Sequence, residues 1–444
     1  MNGAAAVRRL RSVPLVSAGL CLALACLGQS ALAQSGAVPK GDIDYGYWGN
    51  ALRAEVTESV SRAFEKEFPG TRVQGAVAEY AAYIERLTVQ AAAKELPCVT
   101  QTQTTFLATY AARNVLRPLD DLVERGVIDI SGIDPGVVST GRIDGKLYMV
   151  PTGTFLRLVA VNAGMARQRG IDMPPMRRSL NEMKAWATAA QKRLPNGVFA
   201  MENEGALLFT LYSWIAGHGQ SFFKDGQIGF APSVLSGYFD YWEELRRAGV
   251  AFPADRLDEQ FAPLETTPLA KGMALSGTRD IPHIAQTMQT LANAGLPSEI
   301  RFVRNPVEPG VKSGNVPGAN GLSISANCTN VPTAAAYINF FGNAPQAAVA
   351  FKSSNGVVVS KAGREALLGD TKTPEAVRAS LQTLAGLAQE GDIAQATYPP
   401  GYQALQGMLR RTYESVALRG VKSTEAAAQF IAEANRTLRS ARPR

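Results

Sequence analysis

Histidine is nearly missing from this chain, with two copies, His218 and His283, in 444 residues. General acid–base chemistry, catalytic triads and metal sites all lean on histidine. The spaced motifs that mark enzymes are missing too. There is no Cys-x-x-Cys, no His-Glu-x-x-His, no Gly-x-x-x-x-Gly-Lys-Ser/Thr and no Gly-x-Ser-x-Gly. Cofactor and metal are therefore both expected to be none. Charge is also thin, at 19% Asp, Glu, Lys and Arg, and it is scattered rather than clustered. Long apolar runs are missing except at the start, so no later segment is expected to span a bilayer.

What is present begins at the N-terminus. Arg8, Arg9 and Arg11 precede an apolar stretch from Val13 to Leu27, followed by Ser30-Ala31-Leu32-Ala33. Basic start, short apolar middle and small-residue site read as a secretory signal peptide, residues 1–33, cut after Ala33. The expected destination is the periplasm. Arg8-Arg9 leaves twin-arginine export open, and Cys26 after Ala23-Leu24-Ala25 faintly resembles a lipid-anchor site. Removing the leader removes three arginines and no acids, so the net charge falls from +7 to +4. A mildly basic chain without a basic patch is not expected to bind nucleic acid. Of four cysteines, Cys21 and Cys26 leave with the leader. Cys98 and Cys328 remain, and an oxidising compartment permits either a disulfide or two buried thiols.

The first third reads as strand, helix, strand, helix, strand. Ile43–Trp48 alternates like a strand, and Asn50–Phe68 carries apolar residues at helical spacing until Pro69-Gly70 stops it. Thr71–Val77, Tyr80–Lys94 and Pro97–Thr102 continue the series. That order demands a mostly parallel α/β sheet with helices on both faces. Ligands in such sheets bind beyond the carboxyl ends of the strands. Further on, Asp144-Gly145 reads as a hairpin turn, Leu156–Val161 as an apolar strand, and 180–275 as helix-rich. Short strands recur near 301–306 and 322–326, and the end is mostly helical.

Four segments together resemble the extracellular solute-binding proteins of bacterial carbohydrate importers, the group that includes maltose-binding protein. They are Tyr45–Phe68, ending Phe-Glu-Lys-Glu-Phe-Pro-Gly; Tyr80–Leu87 with Leu96-Pro97 and Leu119–Leu122; Asp144–Pro151 ahead of Val159–Asn162; and Ser323–Asn327 followed by Ala334–Phe341 and Gly356–Ser360. The likeness runs from about residue 40 to the end. Two departures concern the ligand: Cys98 and Thr278-Arg279-Asp280 stand where the family commonly has an acidic and an aromatic residue. The resemblance implies a two-lobed, type II periplasmic-binding-protein fold with hinge crossovers. Residues 40–155 plus 278–326 would form the first lobe, and 160–274 plus 330–440 the second. It also implies a monomer that passes a sugar, trapped by hinge closure, to the membrane permease subunits of an ABC importer.

A sugar offers apolar faces to aromatic rings and hydroxyl edges to amides and charges. The expected ligand-binding residues are Trp48, Tyr83, Gln101, Gln103, Thr154, Phe155, Glu204, Trp214, Arg279 and Tyr402. Trp48 closes a strand, and Gln101 and Gln103 share one strand face. Each has a bland alternative: Trp48 and Trp214 as core, the glutamines as an edge strand, Glu202 and Glu204 as helix-start acids. Tyr80 competes with Tyr83. Arg279 could grip the carboxylate of an acidic sugar or simply pair with Asp280. Glu202 and Glu204 also leave a secreted polysaccharide-degrading enzyme as the alternative, and a sugar-binding module for a sensory receptor as a third reading.

Overall fold

A computed structural model describes residues 38–261, 263–442 of the chain. The expected signal peptide lies outside the described residues. Strand β1 (Gly41–Trp48) buries Ile43, Tyr45 and Tyr47 and runs parallel to β2 (Thr71–Ala78), in register from Gly41–Thr71 to Trp48–Ala78. Between them helix α1 (Ala51–Glu67) starts at Asn50, whose side chain accepts a hydrogen bond from the Arg53 amide at 3.0 Å. Helix α2 (Tyr80–Ala93) ends at Lys94 in the left-handed region and leads to β3 (Val99–Gln103), parallel to β1 on its other side. Helix α3 (Thr104–Ala112) follows at once. The sequence-predicted β-α-β-α-β series is what forms.

Strand β4 (Val150–Asn162) spans 13 residues, twice the apolar run visible in the sequence, because Pro151 and Gly153 break the pattern without ending the strand. The hairpin before it turns on Asp144 and Gly145, both at positive φ, which the Asp-Gly pair tolerates. The first half of β4 pairs with β8 (Pro317–Ile324) and with β9 (Val357–Val358). Its second half pairs antiparallel with β6 (Ala274–Asp280) and β7 (Ile300–Val303), while β5 (Phe199–Met201) joins β6 in parallel. One strand thus belongs to both ends of a sheet ordered β2-β1-β3-β8-β4-β6-β5. Every residue of β4 is buried except Arg157, at the changeover between the halves.

Two large cores sit at the two ends. One gathers Tyr45, Val60, Phe64, Val99, Leu322 and Ile324. The other gathers Leu211, Ile215, Leu235, Phe239, Leu405, Leu409 and Phe430. The segment after residue 330 departs from the lobe expected for it. Helices Val331–Asn343 and Pro345–Phe351 bury Ala334, Tyr337, Ile338, Phe341 and Phe351 in the first core, against α1 and β1. Their apolar face matches that core: Tyr337 meets Phe64 edge-on at 5.2 Å, and its hydroxyl bonds Ser61 at 3.0 Å. The chain therefore returns to the first lobe before its last helices, Ala404–Arg419 and Ser423–Ser440, complete the second core. Cys98 and Cys328 form a disulfide, with Cα atoms 4.5 Å apart, tying the start of β3 to the loop after β8. Among the described residues no helix is long and apolar enough to cross a membrane.

Candidate ligand-binding cleft

The carboxyl ends of β1 and β3 and the changeover of β4 face segments of the second lobe. On the first-lobe side, Trp48 is half-buried and packs edge-on to Tyr80 at 5.6 Å and tilted to Tyr83 at 5.4 Å. Gln103 is a polar relay: its amide donates to Asn320 Oδ1 at 2.9 Å, and its oxygen accepts from the Tyr80 hydroxyl at 3.3 Å and from Thr105 at 2.5 Å. From the other side Gln403 donates to Thr105 Oγ1 at 2.9 Å and to the Tyr80 hydroxyl at 3.4 Å. The Gly401 amide reaches Thr109 Oγ1 at 3.3 Å, and the Tyr398 hydroxyl donates to the Pro317 carbonyl at 2.7 Å. Aromatic rings and amides of distant segments thus meet across one gap.

At the floor, Phe155 lies against Gly318, where a Cβ would stand 2.1 Å from the ring, and meets Phe209 edge-on at 5.7 Å. The Arg157 guanidinium stacks over Phe209 at 5.7 Å and reaches Asp280 with Nε at 3.4 Å. His283 lies 3.6 Å from the same carboxylate. Its side chain keeps 48% of its surface accessible. Yet desolvation is the foremost cause depressing its pKa, against the pull of Asp280, with Arg157, Arg53 and Arg279 adding to the depression.

The expected site residues divide. Trp48 and Gln103 meet at this gap through Tyr80, whereas Phe155 is buried against Gly318. Gln101 is buried behind it: its oxygen accepts from the Trp48 amide at 3.2 Å, and its amide nitrogen has no partner. Tyr83 is a correction. It is 1% exposed, and its hydroxyl donates to the Gln101 and Gly46 carbonyls at 2.7 and 3.3 Å, so its polar end is already used. Tyr80, one turn earlier, is 40% exposed. Thr154 is buried under Val357, and Tyr402 is buried with its ring 4.9 Å from Tyr398, inside the second core.

Arg279 is also corrected. Its guanidinium grips Glu202 through two bonds of 2.7 and 2.8 Å and donates to Thr267 Oγ1 at 2.8 Å. Burial works against the cation, but the charge and bonds of Glu202 outweigh it and its pKa is raised. No fork is left for a solute. Glu204 is equally buried, accepting from the Thr278 amide and, at 2.9 Å, from Thr210 Oγ1. Desolvation, then the charge of Glu202, raises its pKa. With Trp214, Tyr238, Tyr241 and Trp242 it lines a cavity of about 50 Å³ inside the second lobe, and the Trp214 indole donates to the Val234 carbonyl at 3.0 Å. Sequence reasoning missed Arg53, Arg157, Phe209, Asn320 and Gln403. Only Arg157 left a signal, as the one cation inside an apolar strand.

Two cores joined by a shared strand, with rings and amides facing one another across the gap, define a solute-binding fold. The chain belongs to the bacterial extracellular solute-binding protein family, whose pattern matches residues 59–378. A periplasmic solute-binding protein of Pectobacterium atrosepticum shares the fold at a TM-score of 0.78 and 19% identity, over 90% of this chain and 100% of that one. A periplasmic oligogalacturonide-binding protein of Yersinia enterocolitica, solved with saturated digalacturonic acid, gives 0.78 and 18%, over 91% and 100%. The GacH receptor of Streptomyces glaucescens, solved with acarbose, gives 0.71 and 15%, over 90% and 99%.

Proposed function

We propose that this protein is the periplasmic, exported binding component of an ABC importer and takes up a sugar or short oligosaccharide in the cleft, without altering it. The observation that carries the proposal is the pairing of exposed rings with amide edges at one gap. Trp48, Tyr80 and Phe209 supply faces, and Gln103 and Gln403 supply hydrogen-bonding edges. A pyranose presents the complementary surfaces. The residues proposed to contact it are Trp48, Tyr80, Gln103 and Phe209, with Arg157 and Asp280 at the floor. The changeover strand β4 supplies a natural place for the lobes to bend. The sugars bound by the Yersinia and Streptomyces relatives support the class of solute.

A thermal-shift screen of mono- and oligosaccharides tests the proposal. A sugar that binds only the folded chain raises Tm as its concentration exceeds Kd. Sugars should be recovered chemically unchanged after incubation, and a strain lacking the gene should lose uptake of the solute that shifts Tm. A released or cleaved product would instead mark an enzyme.

A further inference from the structure

Resting on that reading, we infer that the solute carries a carboxylate or equivalent anionic group and that Arg157 holds it. Arg157 is the one residue of β4 that is not buried. Among the described residues its only hydrogen-bonding side chain is Asp280, through Nε at a long 3.4 Å, and the paired terminal nitrogens of its fork have no protein acceptor there. The guanidinium carbon lies 5.7 Å from the centre of the Phe209 ring. A planar fork left without a protein acceptor is what a ligand carboxylate fits bidentately.

Arg53 stands in the first turn of α1, just beyond the carboxyl end of β1. Its Nε donates to Ser354 Oγ at 2.6 Å and its guanidinium lies over Phe351, while Nη1 is buried without a partner. No carboxylate pairs with it among the described residues, and burial alone pulls its pKa down to about 10. After desolvation, the charges of Arg157 and Arg53 are among the causes that depress the His283 pKa. Arg157 meets one carboxylate, Asp280, across a single long contact, and His283 is shifted toward its neutral form. Glu202 does not enter this balance, because Arg279 neutralises it. An uncompensated, partly desolvated positive charge is costly to keep and favours an anion that restores balance.

The test compares uronate disaccharides with their methyl esters, which share every ring and hydroxyl but lack the charge, beside neutral maltooligosaccharides. Calorimetric titration should find at least one uronate bound about tenfold or more tighter than its ester, as expected for a hydrogen-bonded charge. Raising the salt concentration should weaken the acid's binding and leave the ester's unchanged. Arg157→Gln should lose about 10- to 100-fold for the acid and little for the ester. Arg157→Lys, which keeps the charge but not the fork, should fall between. The salt arm uses the unaltered protein and so does not depend on a variant folding. Equal, salt-insensitive affinity for acid and ester, or binding of neutral sugars alone, would overturn the inference and leave the sugar-binding reading standing. If no sugar of either kind binds, that reading falls and this one falls with it.

Discussion

Arg279 and Arg157 invite comparison, because each pairs with a carboxylate at the same crossover and Arg279 neighbours the other pair's Asp280. Arg279 and Glu202 are 6% and 1% exposed and joined bidentately. Arg157 and Asp280 are 28% and 14% exposed and touch at a single long contact. The first pair is sealed and has no unused valence on the terminal nitrogens. The second is open, with donors to spare. Alternation along β6 turns Arg279 and Asp280 to opposite sides. On the proposed reading, what separates the structural from the recognising arginine is not its charge or its partner but whether its terminal donors are used up.

Three substitutions would break the sealed side of this comparison. Arg279→Ala leaves Glu202 buried and uncompensated and should cost about 3–5 kcal/mol in a denaturant titration. A loss under about 1 kcal/mol would mean that water reaches the pair. Gly277→Ala comes next. A Cβ there would stand 2.1 Å from Glu202 Oε2, so the carboxylate must shift off its arginine, at about 1–3 kcal/mol. Glu204→Gln should act through pH and more weakly. Burial raises the Glu204 pKa above its usual 4.5, so the folded state holds that proton more tightly than the unfolded one. Its contribution is complete below 4.5 and is lost as pH rises through the raised value. The Gln variant should lose less Tm between pH 5 and pH 8 than the unaltered protein, by calorimetry at matched ionic strength.

Much of the fold was legible because it depends on local pattern. The alternation of strand and helix from Ile43 to Thr102, the Pro69-Gly70 stop and the Asp144-Gly145 turn each rest on a few adjacent residues. The misplaced stretch 331–351 shows where pattern ends: an apolar helical face says that it will be buried, not against which core. The site was less legible for the same reason. Tyr80 and Tyr83 lie one turn apart on one helix face, and only depth in the folded chain makes one exposed and the other a donor to buried carbonyls. Arg53 stands in an ordinary amphipathic helix, and nothing near it in sequence reveals that Ser354 and Phe351 will enclose it. Arg157 was readable as the cation interrupting Phe155–Val161, whereas Arg279 drew attention by its hinge position.

The smallest expected effect sharpens the comparison most. A double-mutant cycle on Arg157→Ala and Asp280→Ala, without ligand, should give a coupling of about 0–1 kcal/mol, the range of exposed ion pairs. The contact is long, both groups are partly wet, and a single nitrogen takes part. The same cycle on Arg279 and Glu202 should give several-fold more, since neither partner can reach water once the other is gone. Removing Asp280 alone should then act in the opposite sense on binding. Asp280→Asn, which removes the competing negative charge but keeps an acceptor for Nε, should tighten a uronate by a few-fold while lowering stability by under about 1 kcal/mol. A strong Arg157–Asp280 coupling would place both arginines in the structural class and leave the cleft without its anion anchor.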